Sequence, residues 1–213
     1  MPLTEVTARA VLIDLDGTLV DSTGSIERAW ARWCAERGAD LTRVLQIMPG
    51  RTAESVFAEI LPGLGPAEMA ADADRLLGWQ VEDTDGVVAL PGAAELVAAL
   101  APAAWAVVTS GNRPLARARL AVTGLPLPDV LVTTDDVRAG KPDPQGYLLA
   151  AARLGADPAD CVVVEDAPVG VAAGRAAGMA VLAVGPPAAR DRLAGATWWV
   201  EWIAPAEIPL RDR

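Results

Sequence analysis

Residues 10–19 of this chain read AVLIDLDGTL, an apolar run that ends in two aspartates and a glycine. The apolar part predicts a buried strand over residues 10–15. Asp14 and Asp16 stand two positions apart, so their side chains leave the strand end on one face, and Gly17 allows a sharp turn behind them. Neighbouring carboxylates repel each other, so such a pair suits a bound cation or proton transfer. A turn in which an aspartate caps the next segment is the alternative interpretation.

Similar short apolar runs recur along the chain between Ala- and Leu-rich stretches with helical spacing. This alternation is typical of proteins in which helices connect neighbouring parallel strands. Further strands are predicted at residues 104–109, 130–133, 161–165 and 180–184, and helices at residues 92–100, 114–122, 144–154 and 169–177. We therefore expect an α/β fold with a Rossmann-like parallel sheet core and helices on both faces.

The segment over residues 18–86 interrupts this alternation and predicts an inserted helical unit. Ile26, Trp30, Trp33 and Cys34 recur at helical spacing within it, and Pro-Gly and Gly-Pro pairs separate its later helices. The two tryptophans fit the apolar core of this unit better than stacking against a ligand. The predicted organisation is a core of residues 1–17 and 87–213, with a helical insertion over residues 18–86.

The composition restricts the class of protein. Of the 213 residues, 52% are hydrophobic and 22% are charged, which excludes a disordered chain. The formal net charge of -10 opposes binding to nucleic acid. Neither a membrane span nor a signal peptide is recognisable. Cys34 and Cys161 have no CxxC spacing, so we expect no disulfide framework or zinc site, and a cytoplasmic protein.

Two absences narrow the possible chemistry. The chain has no histidine, so every histidine-based mechanism is excluded. Lys141 is the single lysine among 18 basic residues. Since lysine differs from arginine mainly where a compact point charge is needed, Lys141 is a candidate functional residue. An exposed loop lysine is the simpler alternative.

Other strand ends carry further candidate groups. Glu165 and Asp166 end the strand at 161–165, and carboxyl ends of parallel strands share the edge at which ligands bind. Together with the first aspartate pair they predict a site of oxygen ligands that suits Mg²⁺. Thr109 and Ser110 end another strand ahead of a helix and could hold a phosphate through a hydroxyl and N–H groups. An ordinary helix start explains Thr109 and Ser110 equally well.

Taken together, these carboxylates, hydroxyl and N–H groups and the ammonium are the groups that phosphoryl transfer uses. The stretches at residues 14–18, 109–110, 141–142 and 165–168 resemble the four ordered motifs of the haloacid dehalogenase superfamily. Residues 105–112 and 162–170 are especially similar to its sugar-phosphate and glycerol-phosphate phosphatases. The resemblance implies a phosphoric monoester hydrolase of small phosphorylated metabolites, and it identifies the insertion as a helical cap that closes over the site.

The resemblance also implies catalytic roles. Asp14 is the expected nucleophile, which accepts the phosphoryl group as an aspartyl-phosphate. Asp16 is expected to protonate the leaving alcohol and then to activate water. Lys141 is the third expected catalytic residue, because an ammonium stabilises charge on the transferring oxygens.

The same resemblance implies the ligand sets. Mg²⁺ is expected to be held by the carboxylate of Asp14, the backbone carbonyl of Asp16 and the carboxylate of Asp166. Glu165 is expected to act on the metal indirectly or through water. The phosphate is expected to be held by Thr109, Ser110 and Lys141.

Departures from related subgroups refine the expected activity. Dehalogenases lack the second aspartate of the first motif, so the presence of Asp16 indicates a phosphate ester substrate. Beta-phosphoglucomutases carry a cap histidine, and Ile26 falls near that place, so hydrolysis is preferred over the alternative of a phosphomutase. A phosphometabolite-binding protein without turnover is the second alternative. Arg51, in a cap loop after Pro49, could bind the leaving group, or it could be a solvated arginine at a helix start.

Overall fold

A parallel sheet forms the centre of the protein, which a computed structural model describes over residues 8–203. The strands are β1 (Ala10–Ile13), β2 (Val20–Asp21), β3 (Val88–Ala89), β4 (Trp105–Val108), β5 (Val130–Val132), β6 (Cys161–Glu165), β7 (Ala180–Val184) and β8 (Trp198–Val200). The helices are α1 (Thr23–Arg37), α2 (Leu41–Ile47), α3 (Ala53–Ile60), α4 (Pro66–Glu82), α5 (Ala93–Ala99), α6 (Arg113–Thr123), α7 (Gln145–Leu154) and α8 (Pro168–Ala176).

The main sheet has the order β5-β4-β1-β6-β7-β8, and every neighbouring pair is parallel. The five predicted strands are present, with ends that differ by up to two residues from the predicted ones. The sixth strand, β8, was not predicted. It is three residues long, and a 3-10 segment over Pro187–Leu193 precedes it instead of a crossover α-helix, so the alternating pattern gave no signal for it.

Successive side chains of the central strand β1 point to opposite faces of the sheet, and helices cover both faces. In β1, Val11 and Ile13 point into the cluster formed with α5 and α6, whereas Ala10 and Leu12 point into the cluster formed with α7 and α8. All four side chains are buried, as expected for a parallel sheet enclosed by helices. The predicted Rossmann-like α/β architecture is therefore confirmed.

Helices α1 to α4 pack around an apolar cluster of their own. Trp33 stacks on Phe57 with ring centroids 4.5 Å apart, and Trp30 meets Phe57 edge-on at 5.5 Å. Both tryptophans are buried, which agrees with the expected apolar role. The inserted helical unit is thus held together by a core separate from the two clusters on the sheet.

The chain passes between the two parts of the molecule through a pair of short strands. β2 and β3 pair antiparallel, with Val20 opposite Ala89 and Asp21 opposite Val88. These strands lie beside the proposed boundaries of the cap at residues 18 and 86. Residues 1–7 and 204–213, which the predicted core includes, lie outside the described residues.

The remaining sequence expectations concern helix length and cysteines. None of the helices between residues 8 and 203 combines the length and apolar character needed to cross a bilayer. Cys34 and Cys161 are both buried, and no disulfide links them.

Candidate active site

The carboxyl ends of β1, β4 and β6 open onto a cavity of about 320 Å³ between the sheet and helices α1 to α4. Turns and helix starts follow these strands, so polar groups gather at this edge while the strands themselves remain apolar. Five of the predicted site residues line this cavity on the side of the core: Asp14, Asp16, Thr109, Ser110 and Asp166.

Asp14 follows β1 directly and is only 5% exposed. Its backbone N–H donates to the carbonyl of Val164 in the neighbouring strand, at 3.0 Å, which fixes the start of the turn. Its carboxylate Oδ1 accepts a short hydrogen bond from Lys141 Nζ. Burial raises the pKa of Asp14 well above its ordinary value, Lys141 opposes this shift, and Glu165 and Asp166 add to it.

Lys141 reaches Asp14 from behind the cavity wall. Its Nζ donates to Asp14, to Glu165 Oε1 at 2.5 Å and to the carbonyl of Val108 at 3.2 Å. Burial opposes the charged ammonium, but Asp14 and Glu165 outweigh that effect and raise the pKa of Lys141. The lysine is therefore a charged, buried group between two carboxylates. It contacts the expected nucleophile, and it does not line the cavity.

Glu165 is fully buried, and the protein satisfies both of its oxygens. Oε1 accepts from Lys141 and from the hydroxyl of Tyr147, at 2.7 Å for the latter. Oε2 accepts from the N–H groups of Asp166 and Ala167, both at 3.1 Å. These contacts hold the turn after β6 and leave Glu165 suited to positioning its neighbours.

Asp166 completes a cluster in which oxygens of Asp14, Glu165 and Asp166 lie within 4.8 Å of one another. Desolvation, followed by repulsion from Glu165, raises the pKa of Asp166 to about 7. A β-carbon on Gly17 would lie 2.2 Å from Asp166 Oδ2, and Gly17 has a φ of +91°, so only glycine fits here. Three carboxylates around one ammonium form an oxygen-only donor set with excess negative charge, which fits a hard divalent cation.

Asp16 lies apart from this carboxylate cluster, at the entrance to the helical unit. Its Oδ1 accepts a 2.6 Å hydrogen bond from Ser22 Oγ and lies 3.3 Å from Arg119 Nε. The carboxylate is 19% exposed and lines the cavity. It is therefore held at the cavity by one residue from the helical unit and one from α6.

The predicted phosphate-binding residues Thr109 and Ser110 end β4 at the cavity wall. Thr109 Oγ1 accepts from the N–H of Gly111 at 3.1 Å. Ser110 Oγ donates to the carbonyl of Gly50 at 2.8 Å, which joins the core to a loop of the helical unit. The hydroxyl of Ser110 thus contacts the helical unit, while both residues stay at the cavity.

Comparison with known proteins identifies the family. The family model described as haloacid dehalogenase-like hydrolase matches residues 8–178. The chain belongs to the haloacid dehalogenase-like hydrolases. The expected family is therefore confirmed.

Relatives of this haloacid dehalogenase-like hydrolase are named as phosphatases. Hexitol phosphatase A of Escherichia coli is 46% identical over 187 residues, which cover 87% of each chain. Glycerol-1-phosphate phosphohydrolase 2 of Saccharomyces cerevisiae is 32% identical and covers 82% of this chain and 74% of its own. The crystal structure of CbbY from Rhodobacter sphaeroides in complex with phosphate has a TM-score of 0.78 at 25% identity, covering 92% of this chain and 94% of that chain. The named phosphatases and the family model confirm the expected phosphoric monoester hydrolase.

The cavity wall of this hydrolase opposite the core comes from the helical unit. Ile26 and Trp30 line it with further apolar side chains, and Glu27 and Gln80 add polar groups. The ring of Trp30 thus belongs both to the apolar cluster of the unit and to the cavity wall. The expected position of Ile26 beside the pocket agrees with this arrangement.

Arg51 also lines the cavity, but its guanidinium is already engaged. Nε donates to Ser55 Oγ at 3.3 Å, Nη2 to the carbonyl of Ser55 at 2.7 Å and Nη1 to Glu59 at 2.7 Å. Its suggested contact with the leaving group remains a prediction, and any such contact has to compete with Ser55 and Glu59.

Three residues that contact the site were not found from the sequence. Tyr147 contacts Glu165, Ser22 contacts Asp16, and Arg119 lies beside Asp16 from helix α6. Arg119 carried a usable signal, because it falls on the buried stripe of α6 that Leu115, Ala116 and Leu120 define. Tyr147 is the only tyrosine of the chain, and Ser22 had no signal of its own.

Proposed function

We propose that this protein hydrolyses phosphate monoesters of small polyols or sugars in a Mg²⁺-dependent reaction that passes through an aspartyl-phosphate on Asp14. The observation that carries the proposal is the convergence of Asp14, Asp16 and Asp166 on one wall of a single cavity, with Lys141 in contact with Asp14 behind it. The name of the hexitol phosphatase supports the substrate class.

The first half of the reaction transfers the phosphoryl group to Asp14. A carboxylate oxygen of Asp14 attacks phosphorus as the bond from phosphorus to the ester oxygen breaks. Lys141, in contact with Asp14, offsets the negative charge that the attacking carboxylate and the incoming phosphate bring together. Asp16 gives its proton to the departing alkoxide, so the product leaves as a neutral alcohol.

The second half releases phosphate and restores the enzyme. Asp16, now ionised, removes a proton from a water molecule whose oxygen attacks phosphorus. The bond between Asp14 and phosphorus breaks, and Asp14 regains its carboxylate while Asp16 regains its proton. One carboxyl group therefore acts as acid and then as base, which requires a fixed position beside the leaving group.

The cation would be held by the carboxylates of Asp14 and Asp166 and by the backbone carbonyl of Asp16. When bound, Mg²⁺ supplies positive charge that draws phosphate oxygens and the nucleophile together. Glu165 supports this arrangement from behind, because its contacts with Lys141 and with the N–H of Asp166 fix two neighbours of the site. Thr109 and Ser110, which end β4 at the cavity wall, would bind the remaining phosphate oxygens.

The charges of the cavity favour an uncharged leaving group. Among the described residues, Arg51 is the only cationic side chain that lines the cavity, and Ser55 and Glu59 engage it. Glu27 and Gln80 offer acceptors that suit hydroxyl groups rather than a second phosphate or a carboxylate. A polyol or sugar carrying one phosphate therefore fits better than a bisphosphate.

The proposed cap is residues 18–86, and its closure would exclude bulk water from the phosphorylated enzyme. Its contact with the core through Ser110 and Gly50 supports this role.

We place the reaction in the cytoplasm, since the two unpaired cysteines fit a reducing compartment, and we propose neither a nucleic acid nor a membrane as a partner.

The test is phosphate release from a panel of hexitol, sugar and glycerol phosphates, with sugar bisphosphates for comparison. We expect turnover with Mg²⁺, loss of turnover with EDTA, and preference for the esters with one phosphate. Asp14→Asn should abolish turnover and leave the far-UV circular dichroism unchanged. Turnover in Asp14→Asn, or activity that survives complete metal removal, would contradict the mechanism. Isomerised sugar phosphate without free phosphate would indicate a phosphomutase, and no turnover across the panel would favour a binding protein.

A further inference from the structure

Arg119 is a fully buried cation between the two parts of the molecule. It projects from α6 of the core toward helices α1 and α4. Its Nη2 donates to Ser25 Oγ at 3.0 Å and to Gln80 Oε1 at 3.4 Å, and its Nε lies 3.3 Å from Asp16 Oδ1. The guanidinium therefore contacts the proposed acid and both cap helices at once.

The surroundings of Arg119 are a poor way to stabilise a fold. Its Nε and Nη1 have no hydrogen-bond partner of good geometry among the described residues. Burial lowers the pKa of Arg119, and Asp16 opposes that shift. An apolar side chain of similar length would avoid the desolvation of a buried guanidinium and commonly packs as well or better. A packing role alone thus does not explain an arginine at this position.

The partners of Arg119 belong to the place where the chain enters and leaves the cap. Ser25 lies in the first turn of α1, and its hydroxyl also donates to the carbonyl of Asp83, at 2.7 Å. Gln80 lies near the end of α4 and lines the cavity. Because Arg119 contacts these residues and Asp16, it couples the position of the cap to the position of the Asp16 carboxylate.

We propose that Arg119 is a positioning residue that holds the carboxyl group of Asp16 toward the leaving oxygen and ties this orientation to the cap through Ser25 and Gln80. The inference rests on the proposed function, in which Asp16 is the acid. Ser22 holds the same carboxylate oxygen, so Arg119 and Ser22 restrain Asp16 from two sides.

The dependence of kcat/KM on the leaving group distinguishes a positioning role from a purely structural one. An alkoxide needs a proton in order to leave, whereas 4-nitrophenolate leaves without one. The value of kcat/KM reports only the steps up to the formation of the aspartyl-phosphate, so the later use of Asp16 as a base does not enter it. Misplacing Asp16 should therefore lower kcat/KM for an alkyl phosphate far more than for 4-nitrophenyl phosphate.

The experiment compares glucitol 6-phosphate with 4-nitrophenyl phosphate as substrates of wild type and Arg119→Met. We expect kcat/KM to fall roughly 30-fold or more for the hexitol ester and less than about 3-fold for the aryl ester. Arg119→Lys keeps a cation and should recover part of the loss. Arg117→Met, on the exposed side of the same helix, should leave both values unchanged.

Ser25→Ala keeps Arg119 and removes one of its anchors, so it should show a smaller loss with the same preference for the hexitol ester. This variant decides the question if Arg119→Met does not fold, as judged by its melting curve. Equal losses for both esters, or no loss for either, would overturn the inference. Wild type that hydrolyses neither ester would instead refute the proposed function, which is a separate outcome.

Discussion

At the residue scale, the site is organised around one buried ammonium among several acids. Lys141 donates to Asp14 and to Glu165, and Tyr147 donates to the same oxygen of Glu165. Because Lys141 is only 7% exposed, water contributes little to balancing these charges. The cation in contact with the proposed nucleophile should therefore also matter for the stability of the fold.

We predict that Lys141→Met lowers both activity and stability. The substitution leaves Asp14 and Glu165 buried without a counter-charge, which should cost about 3 kcal/mol in the free energy of unfolding. Urea denaturation without metal measures this loss, and phosphate release measures the activity. Arg138→Met removes an exposed charge from the same loop and should change stability by less than about 0.5 kcal/mol. Equal stability of the two variants would contradict the prediction.

A second ion pair, between a buried carboxylate and a partly exposed arginine, lies in the helical unit. Asp72 is 1% exposed and accepts from Arg37 Nε at 2.7 Å, from Arg37 Nη2 at 2.8 Å and from Trp33 Nε1 at 2.9 Å. The hydrogen bond from Arg37 holds the pKa of Asp72 below its ordinary value, although burial opposes this shift. A lowered pKa contributes stability that is fully present above the ordinary pKa near 3.9 and is lost as the pH falls through the lowered value.

We predict that Asp72→Asn lowers the free energy of unfolding by about 2 kcal/mol at pH 7. The difference from wild type should shrink as the pH falls below about 4, because wild type then loses the ionised carboxylate that the variant already lacks. Urea denaturation at pH 7 and between pH 3 and pH 4 provides the measurement. Asp74→Asn, exposed on the same helix, serves as the control. A difference that stays constant over this pH range would argue against the ion pair.

At the scale of elements, a short loop of the helical unit touches the core where the cavity closes. Gly50 has a φ of +73°, and a β-carbon there would lie 2.5 Å from the β-carbon of Ala167 and 2.8 Å from Val169 Cγ2. Ser110 donates to the carbonyl of the same glycine. The close approach of this loop therefore depends on the missing side chain.

We predict that Gly50→Ala pushes the loop away from the core and lowers kcat/KM for a hexitol phosphate on the order of 10-fold or more. Gly38→Ala is the matched control, because Gly38 has a φ of +67° but open space around the added carbon. Both variants carry similar backbone strain, so the difference between them isolates the contact between loop and core. If both lose the same activity, strain rather than closure is the cause.

At the scale of the whole molecule, the protein is acidic and places its carboxylate cluster where strand ends from distant segments meet. A bound cation should stabilise the folded protein, because it relieves repulsion among Asp14, Glu165 and Asp166 only when the fold brings them within 4.8 Å. Metal binding should therefore be linked to folding.

We predict that Mg²⁺ raises the melting temperature of the wild type. At about 100 times the dissociation constant the stabilisation is about 2.7 kcal/mol, which corresponds to roughly 5 to 10 °C for a chain of this length. Asp166→Asn should remove most of this increment, whereas Asp191→Asn, an exposed substitution, should retain it. Melting curves with and without the ion measure the increment within each protein. An unchanged increment in Asp166→Asn would exclude Asp166 as a ligand.

Much of the architecture was predictable because it depends on local patterns. Five of the six strands in the main sheet follow from short apolar runs, and the polar residues behind β1, β4 and β6 mark the functional edge. β8 was not predicted, since a 3-10 segment rather than a crossover α-helix precedes it and the alternation of strands and helices is lost there. The pairing of β2 with β3 also escaped prediction, because it joins strands of two residues each.

Some features of the site could likewise be predicted from the sequence, and others could not. Asp14, Asp16 and Asp166 stand in motifs that mark them as candidate site residues, and the family resemblance suggests their roles. The approach of Arg119 to Asp16 could not be predicted, because more than a hundred positions separate the two residues and no local pattern relates them. The ion pair between Arg51, which precedes α3, and Glu59 within α3 could not be predicted either, since it depends on the side-chain conformations.

The sequence by itself determined the class of fold, the order of the motifs and the chemical groups available, because apolar periodicity and residue type are properties of short segments. Only the tertiary structure decided which of these groups touch. It placed Lys141 against Asp14 and Glu165, set a buried arginine beside Asp16, and brought Gly50 onto Ala167. Such contacts arise when the packing of the whole chain brings distant segments within a few ångströms, and short-range electrostatic and steric forces act only at those distances.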